Sequence, residues 1–213
     1  MKRLAIIGSG DLGQQIAYQA DNTGLYSNVG FFDDFEKTGT TKHGLPVLGG
    51  VEEIANTFAK GIFDELIMGI GYKHTVQRAA IFERFVDFVP FATIVHPASY
   101  IDKSVRLGKG VLIYPGCTLD MNVTIGDNVL INVGCVIAHD TTIHKHSFLS
   151  PGVTVAGFVQ IGENVNLGIG TIVIDNITIA KNIRTGGGTT VIDNLAEPGL
   201  YVGVPAMLKK PAI

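Results

Sequence analysis

The residues best suited to chemistry in this chain stand in pairs and short runs. His139 is followed directly by Asp140 in the stretch Ile137-Ala138-His139-Asp140-Thr141-Thr142. An imidazole is able to take a proton from an attacking amine or hydroxyl, and a carboxylate beside it favours the imidazolium that forms. Neighbours in sequence need not touch, so their pairing stays open at this level, with a solvated surface histidine as the alternative. His144 and His146 follow close behind. Near the start, Gly8-Ser9-Gly10-Asp11-Leu12-Gly13 has the G-x-G-x-x-G spacing. Bare glycine backbone lets a phosphate approach, and the start of a helix favours its negative charge. Asp33-Asp34 follow beyond one helix and one strand, where an acid suits a ribose or base edge. The cysteines are Cys117 and Cys135.

The elements that must carry these groups are of two kinds. From Ile101 to Ala196 the chain reads in sixes without a break, giving 16 hexads. The first place is Ile, Leu or Val in 15 of the 16, the exception being Thr185, and the fifth place is always small or apolar. A period of six fits neither an amphipathic helix nor an alternating strand. It fits a parallel β-helix, in which three hexads make one triangular coil and each coil stacks on the last. Gly, Asn and Asp gather at places two to four (Gly108, Gly126, Asn128, Gly162, Asn164, Gly168, Asn176, Asn182), where tight corners call for positive φ. A β-sandwich of short strands is the alternative, but its turns would break the register. His139 falls at the third place, pointing away from the coil interior. Cys117 and Cys135 are separated by three hexads, so they fall at the fifth place on adjacent coils, as small buried thiols.

The first 95 residues read differently. Arg3 to Ile7 is a strand, the glycine turn follows, Gln14 to Ala20 is a helix, and Asn28 to Phe32 is a second strand ending at Asp33-Asp34. This is a βαβ unit. Leu45 to Gly50 reads as a turn, Val51 to Lys60 as a helix, Asp64 to Ile70 as a strand ending at Gly71, Lys73 to Val86 as a helix and Phe91 to Val95 as a last strand. A dinucleotide fold has two such halves. About four strands make one half, enough for a mononucleotide, so NAD is the lesser reading.

Two resemblances extend this. The unbroken hexads are similar to those of the hexapeptide-repeat acyltransferases, whose β-helix is left-handed; that hand comes from the likeness, since ordinary crossovers are right-handed. The Gly-Ser-Gly turn, Phe32-Asp33-Asp34, Pro46-Val47-Leu48-Gly49, Ile70-Gly71, Val95-His96-Pro97 and the closing Gly203-Val204-Pro205-Ala206, in this order, resemble the sugar acetyltransferases of the NeuD/PglD type. The likeness covers nearly the whole chain. It implies a small Rossmann-like domain over 1–95 binding a nucleotide-linked amino sugar, then a left-handed parallel β-helix over 96–213 that transfers acetyl from acetyl-CoA. It puts the catalytic pair on His139 and Asp140. Substrate contacts fall on Gly10, Asp11, Leu12, Asp33, Asp34 and Gly71, with Leu12 standing where the family often has His. Acetyl-CoA contacts fall on Phe148, Ile169 and Gly187, with the Gly157 amide as candidate oxyanion donor. The family is trimeric, so a homotrimer is implied. The spacing His139-x4-His144 also resembles the β-helical carbonic anhydrases, but their third zinc ligand would fall on Lys103, so no metal is expected.

The whole chain sets the outer bounds. At 213 residues there is room for one large domain or two modest ones. Charged residues are 16% and Gly is 27 of 213, which suits a glycine-cornered solenoid and argues against disorder. A net charge of −3 gives no reason to expect nucleic acid or an anionic membrane as partner. No run approaches the roughly 18 apolar residues of a membrane helix, and Met1-Lys2-Arg3 precedes too short an apolar run for a signal core. A cytoplasmic protein is expected.

Overall fold

The computed structural model describes residues 1–211; the last two residues of the expected C-terminal domain, 212–213, lie outside the described residues. The chain divides after His96 into two compact units.

In the first unit a five-stranded sheet runs in the order β3-β4-β2-β1-β5: β1 Lys2–Ile7, β2 Tyr26–Phe32, β3 Thr41–Lys42, β4 Leu45–Gly49 and β5 Glu65–Met68. All neighbours are parallel except the β3–β4 hairpin. Successive β1 side chains alternate between faces. Ala5 and Ile7 join Phe32, Leu66, Met68 and the helices α2 (Ile54–Ala59) and α3 (Thr75–Phe85) in one apolar core through Ile54, Phe82 and Phe85. Helix α1 (Asp11–Thr23) covers the other face with Ile16, Ala17 and Ala20. Gly13 is fixed by this packing, because a Cβ there would lie 2.1 Å from the Gly8 carbonyl oxygen.

Two expectations change here. Residues 45–50 do not form a turn: Leu45–Gly49 is a strand whose Val47 is buried beside Phe31 of β2, while Pro46, which lacks an N–H, lies opposite Thr41 on the short hairpin side. Phe91 does not begin a full strand but makes a single bridge to Leu66. The glycine turn also ends sooner than the spacing suggests, since Asp11 and Leu12 already belong to α1.

The second unit is a three-sided parallel β-helix. The first face runs from Tyr100–Ile101 to Thr190–Val191, the second from Arg106–Leu107 to Thr178–Ile179, and the third begins at Leu112–Ile113. Each rung pairs with the residue three hexads on, as Thr118 with Val136 and Leu119 with Ile137. First-place residues from Ile113 onward and fifth-place residues from Val111 onward are buried, and each buried aliphatic side chain contributes about 1.5–3 kcal/mol. Two polar fifth-place groups donate to a carbonyl of the next coil, Thr141 Oγ1 to Ala156 O at 2.9 Å and Ser147 Oγ to Gly162 O at 3.0 Å, whereas the buried Thr189 Oγ1 has no hydrogen-bond partner. Cys117 and Cys135 are free and buried, and donate in the same way to Asn132 O and Ser150 O.

Corner geometry is narrower than the sequence indicates. Positive φ belongs to the fourth place alone, from Gly110 to Gly188, with values between 54° and 73°. Second-place glycines answer to a different need. At Gly126 a Cβ would lie 2.7 Å from the Lys145 backbone nitrogen, so coil spacing excludes a side chain. The three-hexad step also ends before the last hexad, since Leu195 bridges to Ile179 and not to Ile177. The stacking continues beyond the hexads: Gly199–Val202 adds a parallel rung on Ile183–Thr185, and Met207–Pro211 folds back antiparallel onto it. Among the described residues no helix is long and apolar enough to cross a membrane.

Candidate active site

His139 and Asp140 form the corner between the first-face strand Val136–Ile137 and the second-face strand Thr142–Ile143. The left-handed backbone of Asp140, φ 56°, turns its side chain back toward its neighbour. His139 Nδ1 and Asp140 Oδ2 lie 3.0 Å apart. A carboxylate only accepts, so Nδ1 carries the proton and the lone pair of Nε2 is left bare. Asn122, one coil below at the same corner, donates Nδ2–H to the other oxygen, Asp140 Oδ1, at 3.0 Å. The bond from His139, then that from Asn122, holds the Asp140 carboxyl below the usual carboxylate range.

The coil above supplies two further surfaces. A Cβ on Gly157 would lie 2.7 Å from His139 Cε1 and 2.8 Å from Nε2, so the imidazole rests on bare backbone. Phe158 meets the same ring edge-on, with centroids 5.0 Å apart and planes at 85°. The imidazole is half-exposed. At the edge of this site the second-place residues Ala138 and Ala156 are small.

The donor-side residues are spread more widely. Ile169 and Gly187 stack on adjacent coils at the corner that leads into the first face. Ile169 is 64% exposed, and a Cβ on Gly187 would meet only the Ile169 carbonyl oxygen at 3.5 Å. The chain's own packing therefore does not require a glycine at 187. Phe148 is on the third face and buried, and its side chain offers bulk. His144 is exposed, but His146 is not. It is buried at a fourth place with φ 64°, and Asn128 Nδ2 lies 3.0 Å from its Nδ1. Among the described residues no three His, Cys, Asp or Glu side chains gather as metal ligands would.

In the first unit the expected substrate residues cluster at the carboxyl ends of β1, β2 and β5. The strand order reverses between β1 and β5, the place where open α/β sheets hold ligands. Gly10 caps α1, and a Cβ there would meet nothing within 4 Å. A Cβ on Gly71 would touch only Leu12 Cδ2, at 3.8 Å. The two bare glycines and Leu12 thus border open space. Asp11 lies in the first helical turn, exposed. The acids are differently employed. Asp33 Oδ2 accepts from Ser9 N at 2.8 Å and Ser9 Oγ at 2.6 Å, and Oδ1 accepts from Phe35 N. Burial alone would raise its pKa; the Ser9 and Phe35 bonds, with Lys42 nearby, leave it lowered. Asp34 Oδ1 accepts from Val51 N at 2.7 Å and starts the turn into α2. Asp33 and Asp34 therefore shape the crevice through bonds within the chain.

Sequence reasoning passed over Asn122, Phe158 and Ser9. The first two were findable, since they stand at the same corner place as Asp140, one coil below and one above. Ser9 carries no comparable signal.

The family model of the PglD N-terminal domain matches residues 3–85, and that of the bacterial transferase hexapeptide (six repeats) matches residues 122–157. Comparison with curated proteins gave no match. Among solved structures, a mutant of perosamine N-acetyltransferase from Caulobacter crescentus, in complex with CoA and GDP-perosamine, is 28% identical with a TM-score of 0.91, covering 98% of this chain and 97% of that one. The acetyltransferase domain of PglB from Neisseria gonorrhoeae is 23% identical with a TM-score of 0.89, over 98% of this chain and 100% of that one. WeeI from Acinetobacter baumannii is 22% identical with a TM-score of 0.81, again over 98% and 100%; these two likenesses concern the fold. The solenoid is thus the left-handed hexapeptide kind. The chain joins a PglD N-terminal domain to bacterial transferase hexapeptide repeats, the architecture of the NeuD/PglD-type sugar acetyltransferases.

Proposed function

We propose that this protein moves the acetyl group of acetyl-CoA to the amino group of a nucleotide-diphosphate amino sugar, for surface polysaccharide or glycan synthesis. The observation that carries the reading is the contact of His139 Nδ1 with Asp140 Oδ2 at 3.0 Å, which leaves Nε2 as a bare base on the outside of the solenoid. The likeness to an enzyme solved with CoA and GDP-perosamine supports the substrate classes.

In this reading the acceptor amine attacks the thioester carbonyl while His139 Nε2 takes its proton. Asp140 fixes the ring and favours the imidazolium, and Asn122 holds Asp140 in place. The Gly157 N–H is the donor assigned to the oxyanion; replacing Gly157 by Pro removes it. Ile169 and Gly187 border the acetyl-CoA arm, with Phe148 giving bulk behind. Gly10, Asp11, Leu12 and Gly71 border the nucleotide-sugar crevice, and Asp33 and Asp34 set its shape. The unit over 1–95 binds the acceptor, and the β-helix over 96–213 performs the transfer. The working form is a homotrimer in the cytoplasm, with no nucleic-acid or membrane partner.

The deciding experiment measures thiol release from acetyl-CoA against a panel of nucleotide amino sugars and free sialic acids, with His139→Ala alongside. Turnover with one amino sugar, lost in the variant, is expected. Turnover with sialic acid alone would move the reaction to a hydroxyl acceptor. Binding of a nucleotide sugar with no turnover on any acceptor would leave a binding protein.

A further inference from the structure

The fourth place of the His139 corner is filled in turn by Asn122, Asp140, Phe158 and Asn176, all with φ between 56° and 61°. Asn and Asp accept this left-handed backbone, because their short polar groups bond locally. A phenylalanine does not, and a bulky residue with positive φ is an outlier that asks for a reason. Burial within its own chain is not the reason, since Phe158 is 54% exposed there. Coil stacking is not either, since the Phe158 N–H donates to His139 O at 3.1 Å through the same backbone bond by which Asp140 N–H reaches Met121 O.

What the phenyl ring does meet is the imidazole. It stands edge-on to His139 with centroids 5.0 Å apart, within the favourable range for aromatic pairs. Other sides of the imidazole are taken by Asp140 at Nδ1 and by the Gly157 backbone against Cε1 and Nε2. We propose that Phe158 is a positioning residue: it walls an otherwise open side of the His139 ring and keeps that ring in the orientation bonded to Asp140. Strained backbone persists where function over-determines it, and here the strain sits one residue from the surface on which the imidazole rests. The inference rests on His139 being the base of the proposed transfer, and Phe158 acts only through it.

The test pairs Phe158→Asn, which restores the residue type of the neighbouring rungs, with Phe158→Tyr, which keeps the ring. Phe158→Asn is expected to melt roughly 2–4 °C higher, because backbone strain is relieved. Its kcat should fall about tenfold, with KM for acetyl-CoA and for the acceptor unchanged. Phe158→Tyr should keep the wild-type kcat. Nitrogen-15 NMR of His139 provides a readout independent of turnover: wild type should show the Nδ1–H tautomer alone, and Phe158→Asn a mixture of tautomers. A more stable Phe158→Asn with wild-type kcat and an unmixed tautomer would overturn the inference. So would a raised acceptor KM at unchanged kcat, which would make Phe158 a substrate contact. If wild type transfers no acetyl group, the functional reading fails by itself, and the NMR comparison still decides whether Phe158 orients the imidazole.

Discussion

Gly157→Ala isolates the position of the proposed base from every other property of the site. The backbone of Gly157 is not in the left-handed region, so alanine is conformationally acceptable, and the N–H is retained. The added Cβ would lie 2.7 Å from His139 Cε1, 2.8 Å from Nε2 and 3.2 Å from Nδ1. Carbon atoms settle about 3.5–4.0 Å apart, so the imidazole has to retreat by roughly 0.8 Å. Such a retreat strains the 3.0 Å contact with Asp140, because a separation near 3.8 Å (approximately the sum of the two) is no longer a hydrogen bond. Misplacing a catalytic group by about 1 Å costs up to about 100-fold in rate. We therefore expect kcat for thiol release to fall between about 10- and 100-fold, or about 1.4–2.7 kcal/mol in barrier. Stability should hardly change, since the half-exposed ring can swing into water; a change within about 0.5 kcal/mol is expected. Gly187→Ala is the control, as its Cβ would make only an ordinary 3.5 Å contact with Ile169 O. It should leave kcat intact and raise KM for acetyl-CoA. A well-folded Gly157→Ala with wild-type kcat would refute the placement of the base at His139.

Two further substitutions probe the supporting bonds. Asn122→Gly keeps a residue that tolerates φ 61° and deletes the amide that donates to Asp140. A carboxylate whose folded pKa is depressed keeps its partner until pH falls through that pKa, and removing one cause of the depression raises it. Carbon-13 NMR of the Asp140 carboxyl should therefore show it titrating at higher pH in Asn122→Gly than in wild type, and an unmoved titration would show that Asn122 does not hold Asp140. In the first unit, Arg3 donates to Asp64 from Nη2 at 2.6 Å, from Nε at 3.2 Å and from its backbone N at 2.8 Å, and these bonds hold the Asp64 carboxyl down to about 2. That stabilisation is present above the unfolded carboxylate pKa and is lost as pH falls through the folded value. The melting-temperature gap between wild type and Asp64→Asn should be constant above about pH 4 and close toward about pH 2; a gap that persists at pH 2 would exclude the ion pair as its cause.

The hexad pattern made the interior legible because one place in six is a matter of burial alone. From Ile113 onward every first-place residue is inside, whatever corner it leads to. The corners were less legible, because a period of six does not say which of three corners a residue occupies. Fourth-place Asn122, Phe158 and Asn176 are exposed, while fourth-place Gly110, Asn128 and His146 at another corner are buried. His146, at a fourth place of that other corner, is therefore an interior residue, while third-place His139 is half-exposed. Asp33 and Asp34 carry a second role that the spacing does not show. A carboxylate at a strand end suits a ribose, but the nearest amides, those of Ser9 and Val51, belong to the chain itself, and nothing in the spacing separates the two uses.

The three-hexad step also explains how so short a stretch can hold the proposed base together with its supports. Asn122, the His139–Asp140 pair and Gly157–Phe158 come from three successive coils. Each coil supplies one requirement: a donor for the carboxylate, the proton acceptor with its carboxylate, and a floor and wall for the ring. None of these relations depends on a flexible loop, because each is fixed by the same backbone ladder that stacks the aliphatic core. A one-residue insertion anywhere between 122 and 157 would shift first-place residues out of the interior and break at least one of the vertical contacts. The register that folds the solenoid is thus the register that aligns the site. That leaves the side chains at the corner free to depart from the local rule, as Phe158 does, without any cost to the coils above and below.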